Sequence, residues 1–179
     1  MAAAIEITKL EAARRQLETA IRLYFSNGDQ ISIHTLAAAS YNVIRDIVRK
    51  KKLGAMIVKD LSVQHAKPEF RKVVSKALNA AENFFKHADK DPEASFNFLP
   101  AQTEFLIFDA EVMYQKLTGR VSPLFLAFRG WFMMTHQKSF NFSAAEIKGW
   151  PTEVVKNGRQ EYFREVLPIA SHVAKAIGQ

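Results

Sequence analysis

Apolar residues recur every three or four positions along most of the chain, which is the spacing of amphipathic α-helices. The first stripe lies between Glu6 and Phe25, and Asn27-Gly28-Asp29 follows it with turn-forming residues. A second stripe runs from Leu36 to Val48 after Ser32, a favourable N-cap. The basic run at 49–52 suits the negative end of this second helix. The pattern thus predicts two consecutive helices.

The same periodicity continues to the C-terminus. We predict a short helical segment from Met56 to Gln64 and a helix from Pro68 to His87 whose inward face carries Phe70, Val73, Val74, Ala77, Leu78, Ala81, Phe84 and Phe85. Helices from Gln102 to Leu117 and from Pro123 onward are apolar on most sides, and a last helix follows Trp150-Pro151. No segment alternates with period two, and no fixed repeat occurs. The sequence therefore predicts an all-α fold, a single-domain bundle of about six to eight helices over residues 1–179.

Composition agrees with one packed domain. The chain has 179 residues, of which 48% are hydrophobic and 14 are Phe, enough apolar surface for a sizeable core. The absence of cysteine excludes disulfides and thiolate metal sites and fits a reducing compartment, so we expect a cytoplasmic protein. The longest apolar stretch, Pro123 to Met134, is interrupted by Arg129 and is too short to cross a bilayer, so no membrane association is expected.

The helix that begins at Pro123 allows two interpretations. Its apolar residues either form the core of the monomer or include the seam of a homodimer, with Trp131 and Phe132 as candidate anchors. In both cases Arg129 requires a carboxylate or carbonyl partner, because an isolated buried charge is costly.

A basic face is the main candidate for chemistry. At 100° per residue, the polar side of the helix from Pro68 to His87 carries Lys72, Lys76, Asn79, Asn83, Lys86 and His87. On the second helix, His34, Tyr41, Arg45 and Lys52 share a narrow arc with Arg49 beside them. If the two helices pack side by side, they form a basic groove with a histidine at each end. Such a groove suits RNA. In this hypothesis the residues that contact the nucleic acid are Lys72, Lys76, Arg45, Arg49 and His34, and the residues that act on it chemically are Asn83, Lys86 and His87. The alternative is an ordinary solvated face, and the net charge of +7 is compatible with either.

The loop after His87 contains alternating carboxylates, so His87, Asp89 and Asp91 are weak candidates for a divalent metal. No glycine occupies the sixth position of a calcium loop, and an ordinary helix-ending loop is the preferred interpretation. The sequence also lacks a phosphate-binding glycine loop, a dinucleotide fingerprint, a serine elbow and a zinc-protease motif. We therefore expect neither a metal nor another cofactor.

The segment Glu82-Asn83-Phe84-Phe85-Lys86-His87 resembles the signature of HEPN domains, small helical bundles common in bacterial toxins and antiphage systems. That signature is an arginine, a polar residue, a short spacer and a histidine at the end of a helix. The resemblance implies a metal-independent ribonuclease site assembled across a homodimer, with Asn83 and His87 in the polar and histidine positions. Glu82 stands where the family has its arginine, and Lys86 or Arg45 is the candidate substitute.

Two hypotheses therefore remain after the sequence alone. In the first, the chain is a HEPN-like bacterial or phage protein that binds or cleaves RNA around Asn83, Lys86 and His87. In the second, it is a helical interaction module without enzymatic activity, homodimeric through its Phe- and Trp-rich helices.

Overall fold

A computed structural model describes residues 4–89 and 91–177 of the chain. In chain order the helices are α1 (Lys9–Phe25), α2 (Gln30–Lys50), α3 (Ser62–His65), α4 (Arg71–Leu78), α5 (Ala80–Lys86), α6 (Gln102–Thr118), α7 (Pro123–Thr135), α8 (Ala144–Ile147) and α9 (Arg159–Ile177). A π-helical turn, Ile57–Leu61, precedes α3, and 3₁₀ turns lie at Pro68–Phe70 and Thr152–Asn157. Within these described ranges no strand is present, so the predicted all-α fold is confirmed.

Local capping explains where several helices begin and end. The hydroxyl of Thr8 accepts a hydrogen bond from the first turn of α1, and the hydroxyl of Ser122 does the same for α7. The N-cap of α2 is Asp29 rather than the predicted Ser32, because the Asp29 carboxylate accepts the Ser32 backbone N–H at 2.7 Å. Gly119 ends α6 with φ of 68°, a left-handed conformation that glycine adopts without strain.

The long helices enclose one core. α1 and α2 form a closely packed pair, α6 lies against α2, and α7 packs on α9 while also contacting α1 and α6. The apolar stripes of these helices meet in an interior rich in aromatic rings. No helix in the described part of the chain is long and apolar enough to cross a membrane.

The candidate homodimer anchors belong to this core. Trp131 is 8% exposed and Phe132 is 1% exposed. The indole N–H of Trp131 donates to the Tyr24 hydroxyl at 2.8 Å, and Phe132 stacks on Phe108 with ring centroids 4.3 Å apart. Packing within the chain therefore buries both side chains, as the monomer-core alternative predicts, and leaves little of either for a subunit interface. Formation of a homodimer stays a prediction.

The expected partner of Arg129 is Glu111. The guanidinium donates to both carboxylate oxygens, at 2.9 and 2.5 Å, and also to the side-chain oxygen of Gln115 at 2.7 Å. Glu111 is fully buried, so this two-point pairing joins α6 to α7 and leaves neither charge isolated.

The predicted helix from Pro68 to His87 is interrupted at Asn79, which separates α4 from α5. The Asn79 side-chain amide donates to the Ser75 carbonyl at 2.7 Å, a local bond of the kind that competes with helical geometry. Phe70 and Val73, expected to face inward, are 55% and 63% exposed. That prediction was wrong because α4 lies at the periphery, where its contacts with other described elements are with α3, α5 and the adjoining turns.

Candidate functional site

An open pocket of about 710 Å³ lies between α5, the end of α4 and the loop that follows α5. Its polar lining consists of Lys76, Asn83, His87, Asp89 and Asp91, and its apolar lining of Ala80, Phe84 and Phe96. The fold therefore brings together three residues from the predicted basic face, namely Lys76, Asn83 and His87. Lys72 and Lys86 are also exposed, but neither lines this pocket.

The end of α5 presents Asn83 and His87 to solvent. The two residues are one helical turn apart, and the backbone N–H of His87 donates to the Asn83 carbonyl at 3.1 Å. His87 itself adopts an extended conformation, with φ of −133° and ψ of 128°, so the chain leaves the helix at the imidazole. The exposed side chains of both residues are thus available to one ligand.

Aromatic contacts hold the following loop against α5. The ring of Phe84 stacks on Phe96 at 5.3 Å with an interplanar angle of 25°, and Phe85 meets Phe98 edge-on at 5.2 Å. Phe96 retains 36% of its surface exposed. The pocket consequently has an accessible aromatic ring beside its polar groups.

Glu82, the residue before Asn83, is not among the residues that line this pocket. It is 8% exposed, and its carboxylate accepts a hydrogen bond from the Lys59 ammonium at 2.7 Å. The Asn42 side chain completes a triad, because its amide donates to Glu82 at 3.1 and 3.2 Å and its oxygen accepts from Lys59 at 2.9 Å. Glu82 thereby ties α5 to α2 and to the π-helical turn, while the adjacent Asn83 points outward.

Lys59 belongs to a buried polar network that the sequence interpretation missed. Its backbone N–H donates to the Tyr41 hydroxyl at 3.0 Å, and Tyr41 donates to Asp109 at 3.0 Å. Asp109 also accepts the Val58 N–H at 2.9 Å. Burial lowers the pKa of Lys59, while the hydrogen bond that its ammonium donates to Glu82 opposes this shift. The available sequence signal was a charged residue within otherwise apolar segments, at Lys59 and again at Asp109.

Arg45 and Arg49 are engaged within the protein. Both guanidinium groups lie 2.7 Å from the buried Asp60 carboxylate, which also accepts the Met56 N–H at 3.1 Å. Burial alone would raise the pKa of Asp60, but the Met56 N–H and Arg45 hold it below its usual value. The positive charges assigned to RNA binding on this helix are therefore partly neutralised by an internal carboxylate.

His34 does not line a basic groove. It is 4% exposed, its Nδ1 shares a hydrogen bond with the Thr103 hydroxyl at 2.8 Å, and its ring meets Phe85 and Phe98 edge-on. Burial lowers the pKa of His34 to about 4, so the imidazole is neutral at pH 7. The prediction of a groove with a histidine at each end is wrong, because His34 is buried and His87 is exposed.

The candidate metal ligands are not assembled into a site. Across residues 4–89 and 91–177, no three His, Cys, Asp or Glu side chains are arranged to hold a metal ion. His87, Asp89 and Asp91 border the same open pocket without converging on one point.

Comparisons with protein-family models, curated proteins and solved structures find no match to this chain.

Proposed function

We propose that this chain is a HEPN-like protein that binds single-stranded RNA, and cleaves it, at the pocket beside α5. The observation that carries the proposal is the convergence of Lys76, Asn83 and His87 next to the accessible ring of Phe96. Single-stranded RNA is recognised by cations on its phosphates and by aromatic rings beneath its bases. Both elements are present within one cavity.

The pocket offers a role for each kind of group in RNA. Lys76 within the pocket and the exposed Lys72 and Lys86 nearby in sequence supply phosphate contacts. Phe96 supplies a surface for base stacking. Asp89 and Asp91 repel phosphate but accept hydrogen bonds from exocyclic amino groups, so they favour a base at the end of the pocket where they lie.

His87 is positioned to act as a general base. In the proposed reaction its imidazole accepts the proton of a ribose 2′-hydroxyl, and the 2′-oxygen then attacks the adjacent phosphorus. The bond to the 5′-oxygen breaks, which yields a 2′,3′-cyclic phosphate and a 5′-hydroxyl that takes its proton from water. Asn83 orients the ribose or phosphate, and Lys76, which lines the same pocket, offsets the negative charge that develops on the non-bridging phosphate oxygens.

Binding is tested by fluorescence anisotropy with a labelled single-stranded RNA over a range of salt concentrations. We expect Lys76→Ala to weaken binding and to reduce the slope of log affinity against log salt by about 0.7, the value for one phosphate contact on a single strand. Lys175→Ala is the matched control, since Lys175 is exposed on α9 and lies outside the pocket. Equal behaviour of the two variants, or binding that does not depend on salt, would refute the proposed interface.

Cleavage is tested with the same RNA in the presence of a chelator. We expect wild-type protein to produce cyclic-phosphate ends, and we expect His87→Ala to lose this activity while retaining helical content by circular dichroism. A strand of the same base sequence with 2′-deoxyribose at every position lacks the 2′-hydroxyl that attacks phosphorus, so it should bind but remain intact. If wild type and His87→Ala cleave at the same rate, His87 is not the base.

Exposed apolar residues at the start of α4 and in the 3₁₀ turn before it favour a second candidate function, that of a non-catalytic module that pairs with another copy of itself. Phe70, at the end of the turn, and Val73, in the first turn of α4, are both largely exposed, and adjacent exposed apolar side chains often mark an interaction surface. The same region carries Lys72, and the loop after α5 carries carboxylates, so two copies could match opposite charges around the apolar contact. In this case Phe70→Ser would lower the mass measured by light scattering at high concentration. An unchanged mass would exclude pairing through α4.

A further inference from the structure

A second cavity, of about 310 Å³, shares none of its lining residues with the first. Its walls come from α2, the π-helical turn, α3, α4 and α6, and from the segment after α7. The apolar lining residues are Ile57, Val58, Leu78, Phe105, Leu106 and Phe140, and the polar ones are His34, Ser62 and Gln102. This combination of apolar walls with a few polar groups is typical of small-molecule sites.

His34 gives this cavity a polar group held in a fixed orientation. Its Nδ1 is occupied by Thr103, and the ring is flanked edge-on by Phe85 and Phe98, at centroid distances of 5.7 and 5.0 Å. Within the described residues only the Nδ1 atom of His34 has a hydrogen-bond partner. Because His34 borders the cavity, Nε2 is the ring nitrogen left to pair with a ligand.

The charge of the ligand follows from the lining. Among the described residues that line this cavity there is no Lys, Arg, Asp or Glu side chain, and burial keeps the imidazole neutral by lowering its pKa to about 4. An ionised ligand would lose its hydration without gaining an opposite charge, which is costly. An uncharged ring with a single hydrogen-bonding group would instead bury its apolar surface against Phe105 and Leu106 and pair with His34 or Gln102.

The size of the ligand follows from the volume. The cavity has room for about ten water molecules at about 30 Å³ each, which is at the lower end of the range for ligand pockets. We infer that this cavity binds a small, uncharged aromatic molecule with one or two hydrogen-bonding groups. None of Asn83, Lys86 and His87 lines it, so the inference is independent of RNA binding.

The inference is tested with 5-fluoroindole, a neutral bicyclic ring with one N–H donor, by ¹⁹F NMR titration against the full chain. We expect saturable binding that is at least about tenfold tighter than that of indole-3-acetate, its charged relative, measured by competition. Saturable binding of 5-fluoroindole with this preference supports the inference. The absence of saturable binding, or equal binding of the charged compound, would overturn it.

A pair of tryptophan variants locates the bound probe. Ser62 lines the cavity and is exposed, whereas Gln64 is exposed on the same short helix but does not line it. We expect Ser62→Trp to weaken 5-fluoroindole binding at least about tenfold by occupying the entrance, and Gln64→Trp to leave it unchanged. His34→Gln should weaken binding while the protein remains folded by circular dichroism. If Ser62→Trp and Gln64→Trp bind the probe equally well, the ligand is not in this cavity.

Discussion

Replacing Lys59 with methionine offers the sharpest test of how α5 is held in place. Lys59 is 2% exposed, and its ammonium pairs with the buried Glu82 at 2.7 Å. Lys59→Met keeps an unbranched apolar stem in the same space but leaves the carboxylate without its cation. Removing one partner of a buried ion pair costs about 3–5 kcal/mol of stability. We therefore expect the free energy of unfolding to fall by an amount in that range.

The magnitude can be separated into its parts by a double-mutant cycle. Glu82→Leu should also cost about 3–5 kcal/mol, because it leaves the ammonium of Lys59 buried and unpaired. In the double variant both charges are absent, and the main remaining penalty is the Asn42 side chain, which loses its partners. An unsatisfied amide costs about 1–3 kcal/mol when it is buried, and Asn42 is only half-buried, so this penalty should not exceed that range. The double variant should thus be less destabilised than the sum of the single variants, with a coupling energy of about 3 kcal/mol or more.

Urea denaturation followed by circular dichroism at the helical band measures these free energies. Lys156→Met is the matched control, since Lys156 pairs with Glu153 at the surface, where the side chains are 73% and 81% exposed, and such a pair contributes little. Single-variant losses no larger than that of the control, or a double variant destabilised by the full sum, would refute the reasoning that Lys59 and Glu82 form a desolvated, mutually dependent pair.

Two further predictions concern the core and the buried histidine. As the pH falls from 6.5 to about 4, the unfolded chain takes up a proton on His34 before the folded chain does, so the free energy of unfolding falls by about 3 kcal/mol. Urea titrations at pH 7 and pH 4.5 should show that His34→Gln loses less stability between the two pH values than wild type does. Equal losses would contradict the lowered pKa of His34. Gly130→Ala should lower the free energy of unfolding by about 1–3 kcal/mol, since a Cβ at this position would lie 2.6 Å from the Tyr162 hydroxyl and closer still to the Trp150 ring. An unchanged urea midpoint would contradict this prediction, because it would show that the neighbouring side chains move aside.

Most of the secondary structure could be predicted because helices depend on local interactions. The three- and four-residue spacing of apolar positions identified α1, α2, α6, α7 and α9, and the turn residues Asn27-Gly28-Asp29 marked the end of α1. The prediction failed in detail where a side chain changed a local hydrogen bond. Asn79 divides a predicted continuous helix, and Asp29 takes the capping role expected of Ser32.

The candidate site was predictable only in part. Asn83 and His87 share a face because they are one turn apart on a helix, and the periodicity alone places them together. The position of Lys76 in the same pocket depends on how α4 meets α5, and that of Phe96 depends on a loop with no periodic pattern. Neither can be derived from helical geometry alone.

The sequence by itself determined the helical class of this protein, the extent of its main helices and the outward face of α5 that carries Asn83 and His87. Only the tertiary structure decided which polar side chains are internal. Glu82 and Lys59 are separated by 23 residues, and their pairing exists because α5 and the π-helical turn meet on α2. Burial of His34 and Trp131 likewise depends on contacts between distant segments. Helical periodicity predicts which residues share a face of a helix, but packing of the whole chain determines which other helix or loop that face contacts.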